Sequence, residues 1–323
     1  MQTKYLIYSI LICLLFSCQK VQIKKDFIKI ATAPGPEDIV FDKINNRILV
    51  SCNERRDGKP AHSAIQQINI ETNISTTLPF INMPAIEFKP VGIDLQTISG
   101  IQYLYVVNYT QPRSVIQFKV NKENLDFIKE YKNDLLITPN DLTVLPNGSF
   151  YFSNDKDSPN IIELLTNPNG GSVGFCDGNN TWKKVDSAVG FPNGLYNEND
   201  TLYVATSRHK ALYKYEIQSN GNLLNRRILS NINGFDNISS YGEELIIAVH
   251  PDEIKFALLS FIPSALSPCK TYSINKYTGA SKLIFEDEGK LISGSSTALI
   301  IGNDLYLSQI FGEYVLKITN YKH

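Results

Sequence analysis

The sequence predicts an all-β chain folded as a six-bladed β-propeller around a central tunnel. Three observations carry the fold. A short opening motif recurs six times, each opening leads into strands of alternating character, and the composition favours sheet over helix. The openings are Pro36-Glu37-Asp38-Ile39, Pro90-Val91-Gly92-Ile93, Pro139-Asn140-Asp141-Leu142, Pro192-Asn193-Gly194-Leu195, Phe235-Asp236-Asn237-Ile238 and Gly294-Ser295-Ser296-Thr297. They follow one another at roughly 45 to 60 residues, the spacing of propeller blades.

Each opening runs through a polar turn into a second strand. These strands read Arg47 to Ser51, Tyr103 to Asn108, Phe150 to Asn154, Leu202 to Thr206, Leu245 to Val249 and Leu305 to Ser308. The turns carry Asn46, Asn147-Gly148, Asn199-Asp200, Gly242 and Asn303-Asp304, residues that tolerate the positive φ of tight hairpins. A third strand alternates with period two, as in Ile65 to Ile70, Val115 to Val120, Ala211 to Tyr215 and Tyr314 to Ile318. No run of twelve residues has helical period. One such unit cannot bury both its faces, and closing six into a ring lets each pack on its neighbours.

Composition agrees. The chain is 43% apolar and 20% charged, with 17 Tyr and 16 Phe against 2 Met and 1 Trp. Aromatic and β-branched residues suit pleated, half-buried surfaces. A net charge of -1 supplies no basic field, so nucleic acid is excluded as a partner.

The N-terminus reads as a leader. Lys4 precedes the apolar run Leu6 to Phe16, about eleven residues and too short to span a bilayer. The run ends in Leu15-Phe16-Ser17-Cys18, which resembles a bacterial lipobox. On that reading residues 1–17 are a signal peptide, Cys18 is lipidated, 18–30 form a tether and 31–323 form the propeller. The product is an exported, membrane-anchored lipoprotein, expected as a monomer. A plain signal peptide or a short membrane anchor is the alternative. Of Cys52, Cys176 and Cys269, one pair can form a disulfide or all three can be buried thiols; their spacing fits no metal motif.

In a propeller the innermost strands line the tunnel, so the six openings converge at one mouth. They bring Glu37, Asn140, Asn193, Asp236 and Asn237, with Val91 and the serines Ser295 and Ser296 completing the ring. Turn chemistry explains one Asn, but not an acid or amide at equivalent points of four blades. Hard oxygen donors suit calcium, which takes six to eight of them. The absence of thiols disfavours zinc or copper. Asp38 and Asp141 lie one residue on, and successive strand side chains point opposite ways. One member of each pair can therefore serve an ion at the mouth and the other a second ion deeper in.

With these stretches, and with Phe88-Lys89-Pro90, Leu104 to Asn108, Phe191-Pro192 and His250-Pro251, the chain resembles the paraoxonase and arylesterase family of the gluconolactonase-like propellers. The resemblance covers nearly all of the chain beyond the leader. It implies two calcium ions. The catalytic one is held by Glu37, Asn140, Asn193, Asp236 and Asn237, and the structural one by Asp38, Asp141 and the carbonyl of Ile93. It implies hydrolysis of a lactone or ester, with calcium polarising the carbonyl. The family's two water-activating histidines fall on Val91 and Tyr109. Valine accepts no proton, and a phenol is a poor base at neutral pH. That leaves Glu37, Asp236 and His250, with Tyr109, as the catalytic candidates. The family's disulfide between first and last blades has no matching cysteines, so ring closure falls to strand pairing. The rival expectation is a weak or inactive propeller that binds a small ligand or partner at its capped mouth. The walls are expected from loops at 52–63, 155–160 and 254–269, the last apolar enough for a lid or a membrane contact.

Overall fold

The computed structural model describes residues 25–56, 58–157 and 167–321. The leader, including Cys18 and its expected lipid, lies outside the described residues. Six antiparallel sheets stand around a central axis as the blades of a propeller. Their innermost strands are Pro36–Asp42, Pro90–Ile98, Pro139–Val144, Pro192–Glu198, Phe235–Tyr241 and Ser295–Ile301, which begin blades 1 to 6. Five of the sheets have four strands. Blade 2 has a fifth, Phe80–Ile81, running parallel to its outermost strand.

Alternation along the strands places one face of each blade against the blade before and the other against the blade after. Leu49 and Ile65 of blade 1 pack with Ile93, Leu104 and Phe118 of blade 2. Tyr151 and Val173 of blade 3 pack with Leu202 and Val204 of blade 4. Ile30 and Tyr306 of blade 6 pack with Ile39 and Ile48 of blade 1. The core is thus a set of wedges between blades.

Closure comes from the N-terminal side. Strand Phe27–Ala31 pairs antiparallel with Tyr314–Ile318 as the outermost strand of blade 6, with Phe27 opposite Ile318 and Ala31 opposite Tyr314. The expected tether, 18–30, therefore runs too far. Its residues from Phe27 on belong to the ring, because the last blade lacks a fourth strand without them. The closure by strand pairing is as the sequence implies. Cys52, Cys176 and Cys269 are buried free thiols. Burial pushes each thiol up to about 12, so all three stay protonated at neutral pH.

All six openings share one device. Pairing of the innermost with the second strand slips at Pro36/Asp38, Pro90/Ile93, Pro139/Leu142, Pro192/Leu195, Phe235/Ile238 and Ser295/Ala298. Each slip is a β-bulge that frees one or two residues from the ladder. The freed residues include Glu37, Asn140, Asn193, Asp236 and Asn237, so the bulge is what presents the ring. In three blades a serine of the second strand takes the released amide: Ser51 from Asp38, Ser153 from Asp141 and Ser308 from Thr297. Ser153 also donates to the carbonyl of Asn193, and Ser308 to that of Glu37. A single hydroxyl thereby fixes its own bulge to the next blade's.

Candidate active site

The bulges do converge. A Cβ on Gly92 would stand 2.7 Å from the carbonyl of Asn140, and one on Gly194 would stand 2.5 Å from Cα of Asn237. Glycine at these openings lets blade 2 touch blade 3 and blade 4 touch blade 5. Glu37, Asn193, Asp236 and Asn237 are all buried, and Asn140 is half-buried.

The residues of the openings line the tunnel in two groups. Asp38, Asp141 and Asn237 border a central cavity of about 290 Å³, whereas Glu37, Asn140, Asn193 and Asp236 do not. Asn237, next to Asp236 in the chain, also reaches this cavity. The deeper layer is knitted across blades. Asp38 accepts from the amide of Ile93 at 2.8 Å and from the hydroxyl of Thr297 at 2.8 Å. Thr297 in turn accepts from Nδ2 of Asn237 at 3.0 Å. Asp141 accepts from the amide of Leu195 at 2.6 Å. It is the amide N–H of Ile93 that these contacts engage; they leave its carbonyl unassigned.

Electrostatics mark both layers as short of positive charge. Burial pushes Glu37 up to about 7; the Arg55 guanidinium pulls it down, and Asp236, Asp38 and Asp155 add to the rise. Burial pushes Asp38 up to about 7, against the amide of Ile93. Asp141 is raised by burial and then by Asp38. Meanwhile the buried oxygens Oδ1 of Asn193 and Oδ1 of Asn237 have no hydrogen-bond partner. Buried polar atoms are rarely left so. Bare amide oxygens beside buried carboxylates are the donor set of a hard divalent cation, and the residues present fit calcium. No three His, Cys, Asp or Glu side chains converge on one point among the described residues, so amide and carbonyl oxygens must supply much of any shell.

The imidazole of His250 bonds through Nε2 to Oδ2 of Asp236 at 2.5 Å. Its ring stacks at 3.7 Å on Phe256 of the helix Glu253–Leu258. That helix, capped by Asp252, is an addition to the apolar stretch expected as a loop. It roofs His250, while Ile254 and Phe261 remain exposed. Nδ1 of His250 is buried without a partner. His250 thus holds one carboxylate oxygen of Asp236 in place.

The opposite wall differs. Val91 packs into the core between blades 2 and 3. Tyr109 lies under the guanidinium of Arg113, 4.7 Å from its ring centre. The structure also adds three residues that spacing did not single out. Arg55 contacts Oε2 of Glu37. Asp155 has a buried, unpartnered oxygen and is raised chiefly by burial. Asp94 is a third tunnel carboxylate, half-buried, that ties blade 2 to the amide of Val144. Only the serines, Ser51, Ser153 and Ser308, left a readable signal, one repeated column at the end of the second strand.

An arylesterase family model matches residues 59–316. The chain is 23% identical over 223 residues to rabbit (Oryctolagus cuniculus) serum paraoxonase/lactonase 3, a match covering 65% of this chain and 62% of that protein. It is 24% identical over 222 residues to human serum paraoxonase/arylesterase 2, again covering 65% and 62%. Among solved structures, a gluconolactonase from Xanthomonas campestris superposes with a TM-score of 0.61 at 12% identity, covering 91% of this chain and 89% of the other. A PQQ-bound aldose sugar dehydrogenase from Streptomyces coelicolor reaches 0.55 at 13% identity, covering 92% and 98%. These superpositions speak to the fold, which serves more than one chemistry.

Proposed function

We propose that this chain, which belongs to the arylesterase family, is a calcium-dependent hydrolase of lactones or aryl esters working at the propeller mouth. The observation that carries the reading is the pair of bare amide oxygens, on Asn193 and Asn237, set among buried carboxylates. Glu37, Asn140, Asn193, Asp236 and Asn237 would hold one calcium ion, and Asp38, Asp141 and the carbonyl of Ile93 a second. Bound at the mouth, calcium supplies Lewis acidity to a carbonyl oxygen.

The chain's own residues supply the rest. His250 fixes Asp236 by the 2.5 Å bond to one carboxylate oxygen. Asp236 is then the carboxylate placed to take a proton from the attacking water. Glu37 is restrained by Arg55 and is the less free of the two. The new bond joins the water oxygen to the carbonyl carbon, the ester or ring C–O bond breaks, and the departing alcohol takes a proton. Phe256 and its helix shield this side of the mouth from water.

The test is metal analysis of the purified protein, followed by δ-valerolactone and phenyl acetate assays after chelation and after restoring calcium. Activity that survives chelation, or that is untouched by Glu37→Gln and Asn193→Ala, would sink the proposal. One observation favours a second reading. Val91 lies in the core and Tyr109 under Arg113, so the wall offers no imidazole to activate water. On this reading the mouth binds a small ligand without turning it over. Saturable binding with no hydrolysis across a broad ester panel would support it, and calcium-dependent turnover would exclude it. We further propose the exported, lipid-anchored state of the leader. Radiolabelled palmitate incorporation that is lost in Cys18→Ala checks it.

A further inference from the structure

The mouth carries cations that a calcium site does not require. Arg55, on the loop after the second strand of blade 1, touches Oε2 of Glu37 through Nη2. Its other contacts, to the carbonyls of Pro90 and Asn53, are long at 3.4 Å. Its side chain is 19% exposed, so the guanidinium keeps donors and an open edge. Arg113, on the neighbouring loop of blade 2, covers Tyr109, and its buried Nε has no partner. Arg113 and Lys156 both act on Asp155, and Asp155 acts on Glu37. All of these groups share one electrostatic neighbourhood.

On this side of the mouth Arg55 lowers Glu37, and Lys156 and Arg113 lower Asp155, so the cations offset part of the carboxylate charge there. A divalent cation on the Glu37 ring would add positive charge directly beside Arg55, so this side of the mouth favours an anion. A concave, poorly solvated site of one sign concentrates ligands of the other. A planar guanidinium pairs with a carboxylate through two parallel bonds, a geometry that an ammonium cannot match.

We propose that the substrate is an anionic lactone or ester, bearing a carboxylate that Arg55 grips beside the scissile carbonyl, with Arg113 adding to the field. The proposal rests on the hydrolase reading and names its substrate class. A neutral lipophilic ester would leave the Arg55 donors unused.

Two ester probes test it on the calcium-loaded full chain: mono-4-nitrophenyl adipate, which carries a carboxylate, and neutral 4-nitrophenyl hexanoate. The expected result is a kcat/KM preference for the adipate of at least about tenfold at low salt, the size of a charge-assisted contact. Salt erodes that preference, Arg55→Gln abolishes it mainly through KM, and Arg55→Lys recovers part of it. A preference at or below unity, or one that Arg55→Gln leaves intact, overturns the proposal. If neither ester is turned over, the hydrolase reading fails by itself. Calorimetric titration with adipate then decides the anion site. Saturable binding weakened at least about tenfold by Arg55→Gln sustains it, and absent or unchanged binding overturns it.

Discussion

The two halves of the mouth are built from the same repeat and do opposite things. On the side of blades 4 and 5, the bulges present Asn193, Asp236 and Asn237, and His250 braces Asp236 under a helical roof. That half is oxygen-rich, buried and closed. On the side of blades 1 and 2, Glu37 is paired to Arg55, Val91 has withdrawn into the core and Tyr109 is covered by Arg113. That half carries positive charge and an open edge. A propeller separates such tasks readily, since the shared backbone bulge fixes where a side chain emerges and leaves its chemistry free. The first half reads as the place that holds an ion, the second as the place that meets a substrate.

The largest effect should come from the oxygen-rich half. Asp236→Ala is expected to lower calcium affinity and hydrolysis by roughly 100-fold or more, read by calorimetry and ester turnover. A small loss would show that the halves are not specialised. Next is the pH dependence of the chelated protein. Glu37 is raised from 4.5 to about 7 and Asp38 from 3.8 to about 7. Groups raised on folding favour the fold below their unfolded values, near pH 4, and lose that contribution as pH rises through about 7. The melting temperature without calcium should therefore fall by about 5 °C or more between pH 5 and 8, and calcium should restore it mainly at the upper end. A flat profile would mean that these carboxylates are already neutralised by another group. His250→Ala should lower kcat about tenfold, while His250→Gln, which keeps a donor towards Asp236, should recover part of it. Equal losses would point to a proton-transfer role for the ring. The smallest effect belongs to the other half. Arg55→Met frees Glu37 and should raise calcium affinity by roughly 3- to 10-fold, sharpening the contrast between a cation that competes and oxygens that bind.

The fold was legible because its punctuation repeats. Pro and Asn-rich openings, hairpin turns and period-two strands are local signals, and six copies make them unambiguous. The ring of Glu37, Asn140, Asn193 and Asp236 was legible for the same reason. The bulges were not, because a slip of register leaves no trace in hydrophobic alternation. Arg55 and Asp155 sit on loops whose path no period dictates, so their approach to Glu37 is a tertiary fact. The helix Glu253–Leu258 has six residues, too few to show a periodic stripe. Val91 reads as part of the ring by position, yet its apolar side chain finds the core between blades.

The closing strand Phe27–Ala31 bears on how the molecule is made. Its neighbour Asp26 bonds to Thr319 across 293 residues of chain. While the protein is being synthesised, Phe27–Ala31 exists long before the edge it joins, because its partner Tyr314–Ile318 is made last. The two meet only once the C-terminal strand has emerged. Contacts so distant in sequence form late and slowly. The chain thus remains an open, threadable arc until its last strand is delivered, and the wedge between blades 6 and 1 is the last seam to seal.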